Sequence, residues 1–187
     1  MAISDIEQGL KELNRVVGVE NAQDIPFSDY KEFLELEKAG KLRIASAYDG
    51  ELVYSFGGKV EAMMHALLVW SPVLFAIASV VFAFVLSNFW LLVGIPLALL
   101  GFFLSTPAFM KGIGSVIALG TLIYFGYSCY AGNYGNAVIV GSYALSNFFV
   151  YVAREQCRMI IHRTILISEP IFVWLYKNGR ILINREE

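Results

Sequence analysis

Four side chains are the best candidates for chemistry in this chain: Arg154, Arg158, His162 and Arg163. Arg154, Arg158 and His162 recur at every fourth position, so on a helix they form one cationic stripe with Arg163 beside it. A guanidinium fork fits phosphate and carboxylate, which makes the stripe a candidate contact for an anionic lipid head-group or for an acidic group on a partner. The plainer reading is anchoring, in which basic side chains beside a membrane snorkel and hold the chain in place. The sequence favours anchoring.

Other chemistry-bearing patterns fail on inspection. Gly58-Lys59 lacks the upstream Gly and the following Ser or Thr of a phosphate loop, because Val53 and Val60 stand there. Gly112-Ile113-Gly114-Ser115 is not a nucleophile elbow, since Ile113 stands where a Gly is needed. His65 and His162 are too far apart in sequence to suggest a metal site. No catalytic residue, cofactor, metal ligand or small-molecule substrate is assigned. Ser79 and Ala83, Gly114 and Ala118, and Ala137 and Gly141 are small-residue pairs one helical turn apart, suited to close helix packing.

The elements that must position the basic stripe follow from charge. Of 187 residues 57% are hydrophobic and 16% charged, and the mean hydropathy is +0.61. From Ala62 to Ala153 there is no Asp or Glu, and Lys111 is the one ionised side chain besides His65. Runs of ~20 apolar residues are what a helix needs to cross ~30 Å of hydrocarbon. Four spans are expected, over about Met64–Leu86, Phe89–Phe109, Gly112–Tyr130 and Gly135–Val152. Pro96 is expected to kink the second. Polar groups within the spans, chiefly Thr121, Ser128, Ser142, Tyr143, Ser146 and Asn147, are expected to hydrogen-bond between helices.

Lys41, Arg43, Lys59, Lys111, Arg154, Arg158 and Arg163 all flank one side of these spans, and the other two loops carry no charge. That side is expected to be the cytoplasm, with both termini in it and the cell inner membrane as the site. The polar start of the chain leaves the first span as the expected insertion signal. Cys129 and Cys157 fall on opposite sides, so no disulfide is expected. The net charge of −2 gives no reason to expect nucleic acid.

The flanks read as folded. Ser4-Asp5-Ile6-Glu7 is a capping box, followed by Ile6, Leu10, Leu13 and Val17 at helical spacing up to Gly18. A second helix should start at Ser28 or Asp29 and end before Gly40. Asp49-Gly50, between β-prone runs, predicts a hairpin. Asn178-Gly179 predicts another, pairing residues 171–176 with 180–183 and leaving Phe172, Trp174 and Tyr176 on one face that needs burial. The rival for that segment is a helix starting at Ser168-Glu169-Pro170 and closed by Gly179, and the hairpin is preferred.

The expected fold is a polytopic α-helical membrane protein. A four-helix transmembrane bundle (61–153) carries a small cytoplasmic α+β cap built from the N-terminal segment (1–60) and the C-terminal segment (154–187). The expected function is that of a non-enzymatic integral membrane subunit or adaptor, with membrane lipid and other membrane-protein subunits as partners. The alternatives are a small oligomeric channel or carrier without intramembrane charge, and, less favoured, a membrane-embedded enzyme acting on lipid through the Arg154 stripe.

Overall fold

The charge-free stretch folds as helix. The computed structural model describes residues 30–110 and 112–185 and is mostly helical, with one small two-stranded sheet. Among the described residues three helices are long and apolar enough to cross a membrane: α3 (Lys59–Val85), α6 (Ile113–Tyr130) and α7 (Tyr134–Ile167). Ahead of them come α1 (Tyr30–Lys38), β1 (Leu42–Ser46) and α2 (Gly50–Phe56). Between α3 and α6 lie a 3-10 turn (Phe89–Val93), α4 (Gly94–Leu104) and the single turn α5 (Pro107–Met110); after α7 come α8 (Glu169–Lys177) and β2 (Ile181–Arg185). Of the described residues, those up to Glu61 and those from Cys157 onward cluster into one unit, and those between into another, the Ala62–Gln156 unit. The capping box at Ser4 and its helix lie outside the described residues.

In the Ala62–Gln156 unit side chains satisfy backbone groups that the helices leave open, which a helix able to cross a membrane needs. Pro72 interrupts the interior of α3 and leaves the Leu68 carbonyl without its N–H partner, and the Ser71 hydroxyl donates to that carbonyl at 2.7 Å. The expected second span is divided. Pro96 sits in the first turn of α4, where a ring is tolerated, so it does not kink a long helix. Pro107 then opens α5 after a break at Ser105 and Thr106.

Small residues bring α4 against α3 and α7. A Cβ on Gly94 would collide with the Ser79 hydroxyl, and one on Gly101 would lie 2.6 Å from the Tyr143 carbonyl oxygen. Across this seam the Ser79 and Ser142 hydroxyls are 2.9 Å apart, and the Asn147 side-chain amide donates to the Gly101 carbonyl at 3.2 Å. Ser142 and Asn147 thus bond between helices as expected, whereas Thr121 donates to the Ile117 and Ala118 carbonyls of its own helix and the buried Ser146 hydroxyl has no hydrogen-bond partner among the described residues. The most apolar stretch of α7 is 50% buried, against 22% for α3 and 17% for α6, so α7 is the most enclosed of the three.

The other unit joins both ends of the chain. β1 and β2 pair antiparallel, with Leu42 opposite Arg185, Ile44 opposite Ile183 and Ser46 opposite Ile181. Neither expected hairpin forms. Asp49 is extended (φ −142°) and caps α2, its carboxylate accepting from the Glu51 N–H at 3.0 Å. Asn178 has φ −88° and only Gly179 is left-handed, whereas a two-residue type I′ hairpin needs both positive. Gly179 instead closes α8, with its N–H to the Tyr176 carbonyl and the Arg180 N–H to the Leu175 carbonyl. Residues 171–176 are thus helix, as in the rival reading, and β2 pairs with a strand near the other end of the chain.

The core of this unit holds Phe33, Leu52, Val53, Ile161, Ile165, Ile171, Phe172, Leu175 and Ile181, all nearly or fully buried. The Phe33 and Phe172 rings pack with centroids 4.3 Å apart, tilted by 34°. The Tyr30 hydroxyl donates to the Ile165 carbonyl at 2.6 Å. Burial, with the Glu169 carboxylate adding, raises the pKa of Tyr30 above its ordinary value.

Candidate functional site

Beside this core lies a groove of about 470 Å³ with two walls. One is Glu37 at the end of α1 with Leu42, Ile44 and Ser46 of β1. The other is the last turns of α7: Arg158, Met159, Ile161, His162, Arg163 and Leu166. The floor is apolar and the rim is charged.

Each wall is fixed by local sequence. α1 ends in a Schellman turn, with Gly40 at φ +67° and the Lys41 N–H bonded to the Leu36 carbonyl at 3.0 Å. That turn sends the chain straight into β1. Along β1 the side chains alternate half-buried and exposed, which puts Leu42, Ile44 and Ser46 on the groove side and Arg43 and Ala45 outside. On the other wall α7 runs unbroken past the apolar stretch, so positions 158, 162 and 166 stack on one face.

Two side-chain contacts hold the rim. His162 Nε2 lies 3.2 Å from Glu37 Oε1. Arg163 grips Glu61 with both terminal nitrogens, each 3.1 Å from a carboxylate oxygen. The same carboxylate accepts from the Gly58 N–H at 2.8 Å, so Glu61 both closes the first turn of α3 and receives Arg163. A fork-to-fork pair fixes the plane of the guanidinium, which a lysine cannot do. Arg158 is exposed on the groove wall.

The structure thus brings Arg158, His162 and Arg163 together on one groove. Arg154 belongs to the Ala62–Gln156 unit, is half-buried there and does not line this groove. Sequence reasoning missed Glu37, Ser46 and Glu61. Glu61 was findable, as an acid three residues after Gly58 at a helix start.

Asp49 was missed as well. Besides capping α2 it places Oδ2 2.7 Å from Arg180 Nη1, and its backbone carbonyl accepts from the buried Cys157 thiol at 3.3 Å. One residue so ties α2, α7 and the turn before β2 together. Among the described residues no group of three His, Cys, Asp or Glu side chains is placed to hold a metal.

A second depression, of about 270 Å³, lies in the other unit among Phe75, Phe82, Phe125, Val138 and Leu145. It is almost wholly apolar, with Cys129 and Ser142 at its wall. Compared with known proteins, the chain matches no protein-family model, no curated protein and no solved structure.

Proposed function

We propose that this chain is a non-enzymatic integral membrane subunit or adaptor, which docks partner proteins on the unit built from its two ends. The observation that carries the reading is the groove. It combines an apolar floor with a charged rim, the composition of a surface that recognises another chain rather than one that performs a reaction. Membrane lipid and other membrane-protein subunits are the proposed partners.

Four crossings are part of this proposal, with Phe89–Leu104 as the second and shortest. A five-residue 3-10 turn and an eleven-residue helix together reach roughly 26 Å, close to the hydrocarbon thickness. The one-sided Lys and Arg placement supports a cytoplasmic location for both termini, with the inner membrane as host. Trp90, Tyr127, Tyr130 and Tyr134 are strongly exposed and suit an interfacial aromatic belt on the opposite side. The channel alternative is weaker because Ser79, Ser142 and Asn147 are buried in contacts within the chain.

The test is purification of the tagged full chain from native membranes in mild detergent. A protein recovered in fixed ratio, and lost when Ile44 and Leu166 are both replaced by Asp, supports docking. Recovery of the chain alone, or as a homo-oligomer that conducts ions in planar bilayers, overturns it.

A further inference from the structure

The apolar depression of the Ala62–Gln156 unit is a trough. Its floor is one face of α7, where Tyr134, Ala137, Gly141 and Leu145 follow at steps of three and four residues. From Tyr134 to Leu145 the floor runs about 16 Å at 1.5 Å per residue. Phe75, Ala78 and Phe82 of α3 wall one side, and Phe125 and Cys129 of α6 the other. Small residues sink the middle of the floor, and at Gly141 the Phe125 ring lies 2.8 Å from where a Cβ would stand.

The lining selects an apolar occupant. The Ser142 hydroxyl is committed to the Val138 carbonyl at 2.7 Å and to the Ser79 hydroxyl at 2.9 Å. From Gly112 to Ala153 there is no Asp, Glu, Lys, Arg or His. Position names the source of the occupant. The Tyr134 end opens beside the turn between α6 and α7, where Tyr127, Tyr130 and Tyr134 are strongly exposed. The Leu145 end stops about 16 Å further on, roughly half of a ~30 Å hydrocarbon layer, so the trough is one leaflet deep. Size separates a chain from a helix. A partner helix ~10 Å wide would take roughly 1,300 Å³ over this length, several times the volume of about 270 Å³. A file of methylene groups ~4 Å across takes roughly 200 Å³.

We propose that the trough holds one acyl chain of a membrane phospholipid, entering at Tyr134 and ending between Phe75 and Leu145. This deepens the membrane-lipid part of the reading above and rests on the crossings; the docking groove has no part in it. A chain already in hydrocarbon gains no hydrophobic energy by entering, so contact with the Phe75, Phe82 and Phe125 rings is what retains it. The mouth carries no ionised side chain, so the site reads the chain and not the head-group.

The probe is a phosphatidylcholine with a diazirine near the end of one acyl chain, doped into phosphatidylcholine nanodiscs that hold the full chain. Lipid adducts are mapped by peptide mass spectrometry after irradiation. Leu119 is the reference: it lies as many residues from the Tyr130 end of α6 as Leu145 lies from Tyr134, and it is 61% exposed. Half-buried Leu145 should nevertheless collect about threefold more adduct than Leu119, or better. Ala78→Trp fills the trough from the α3 wall and should abolish that excess. N-benzylmaleimide on Cys129, at the mouth, should do the same in the folded wild-type chain, which covers an Ala78→Trp chain that fails to fold; Cys157 is buried and spared. The same acyl chain on phosphatidylglycerol should give a ratio within about twofold.

Equal adducts at Leu145 and Leu119 mean unordered surrounding lipid and overturn the proposal. So does an excess that both blocks leave unchanged, or one seen only with phosphatidylglycerol. A photoreactive residue at Val138 that captures another protein in native membranes, in place of lipid, assigns the trough to a partner helix and also overturns it. These outcomes leave the crossings and the docking reading standing. No adduct at either leucine means that the helices do not lie in lipid, which removes the crossings and this inference together.

Discussion

Asp49 and Arg180 meet at 2.7 Å, so the N-cap of α2 and the turn into β2 are one structural node. Asp49→Ala should cost about 1–3 kcal/mol, most of it from the lost cap. The ion pair adds less, because Arg180 is 40% exposed and solvent screens it. Asp49→Asn keeps the cap and should cost under about 1 kcal/mol. Thermal unfolding of both variants in detergent decides between the two contributions. Equal losses would make the charge dominant.

Phe33 and Phe172 couple the two ends of the chain. A double-mutant cycle with Phe33→Leu and Phe172→Leu should show about 0.5–1.5 kcal/mol of interaction. Either single variant should also open the chain to protease near Gly40 and Gly57. Additive effects, with no protease signal, would mean that the ends do not share a core in solution.

Tyr30 should give the end unit an alkaline limit. Its folded pKa lies above the ordinary 10.0, so its contribution is intact below pH 10 and is lost as pH rises through the folded pKa. Tyr30→Phe should lose about 0.5–1.5 kcal/mol at neutral pH and flatten the stability loss above pH 10. An unchanged alkaline slope in Tyr30→Phe would remove Tyr30 as the cause.

The proposed topology is checked by thiol labelling of intact cells in a Cys129→Ser background. Cysteines introduced at Asn88 or Asn133 should react with an impermeant maleimide from outside. Cysteines at Glu51 or Lys177, both exposed in the folded chain, should react only after lysis. The reverse pattern inverts the protein, and labelling at Asn88 alone removes one crossing.

Three helices long and apolar enough to cross a membrane were legible in the charge gap, because charge in hydrocarbon is costly, whereas the expected second span is divided. The stops were legible less evenly. Asp49-Gly50 and Asn178-Gly179 are good hairpin signals and equally good helix punctuation, since an Asp caps a helix start and a left-handed Gly closes a helix end. Local sequence does not say which strand lies opposite. β1 finds β2 across almost the whole described chain, and no short-range pattern encodes that pairing. α8 was read as strand for another reason: Phe172, Trp174 and Tyr176 alternate as a strand face would, while Ile171, Phe172, Leu175 and Tyr176 recur at helical spacing and are all buried on one helix face. At the candidate site the basic residues were readable from their spacing on one helix. Their acidic partners come from other elements: Glu37 was not readable, and Glu61 was readable as a helix-start acid but not as the partner of Arg163.

The β1–β2 ladder also sets an order of events during synthesis. Helices form from neighbours in sequence, so the spans can settle as they are made, whereas Tyr30 waits for Ile165, 135 residues later. Until β2 is released, Phe33, Ile44 and the β1 edge have no completed core to enter. A stalled or truncated chain would show that apolar surface to chaperones and proteases, and a finished chain would hide it. Closure of β2 onto β1 thereby reports that everything between them has been made.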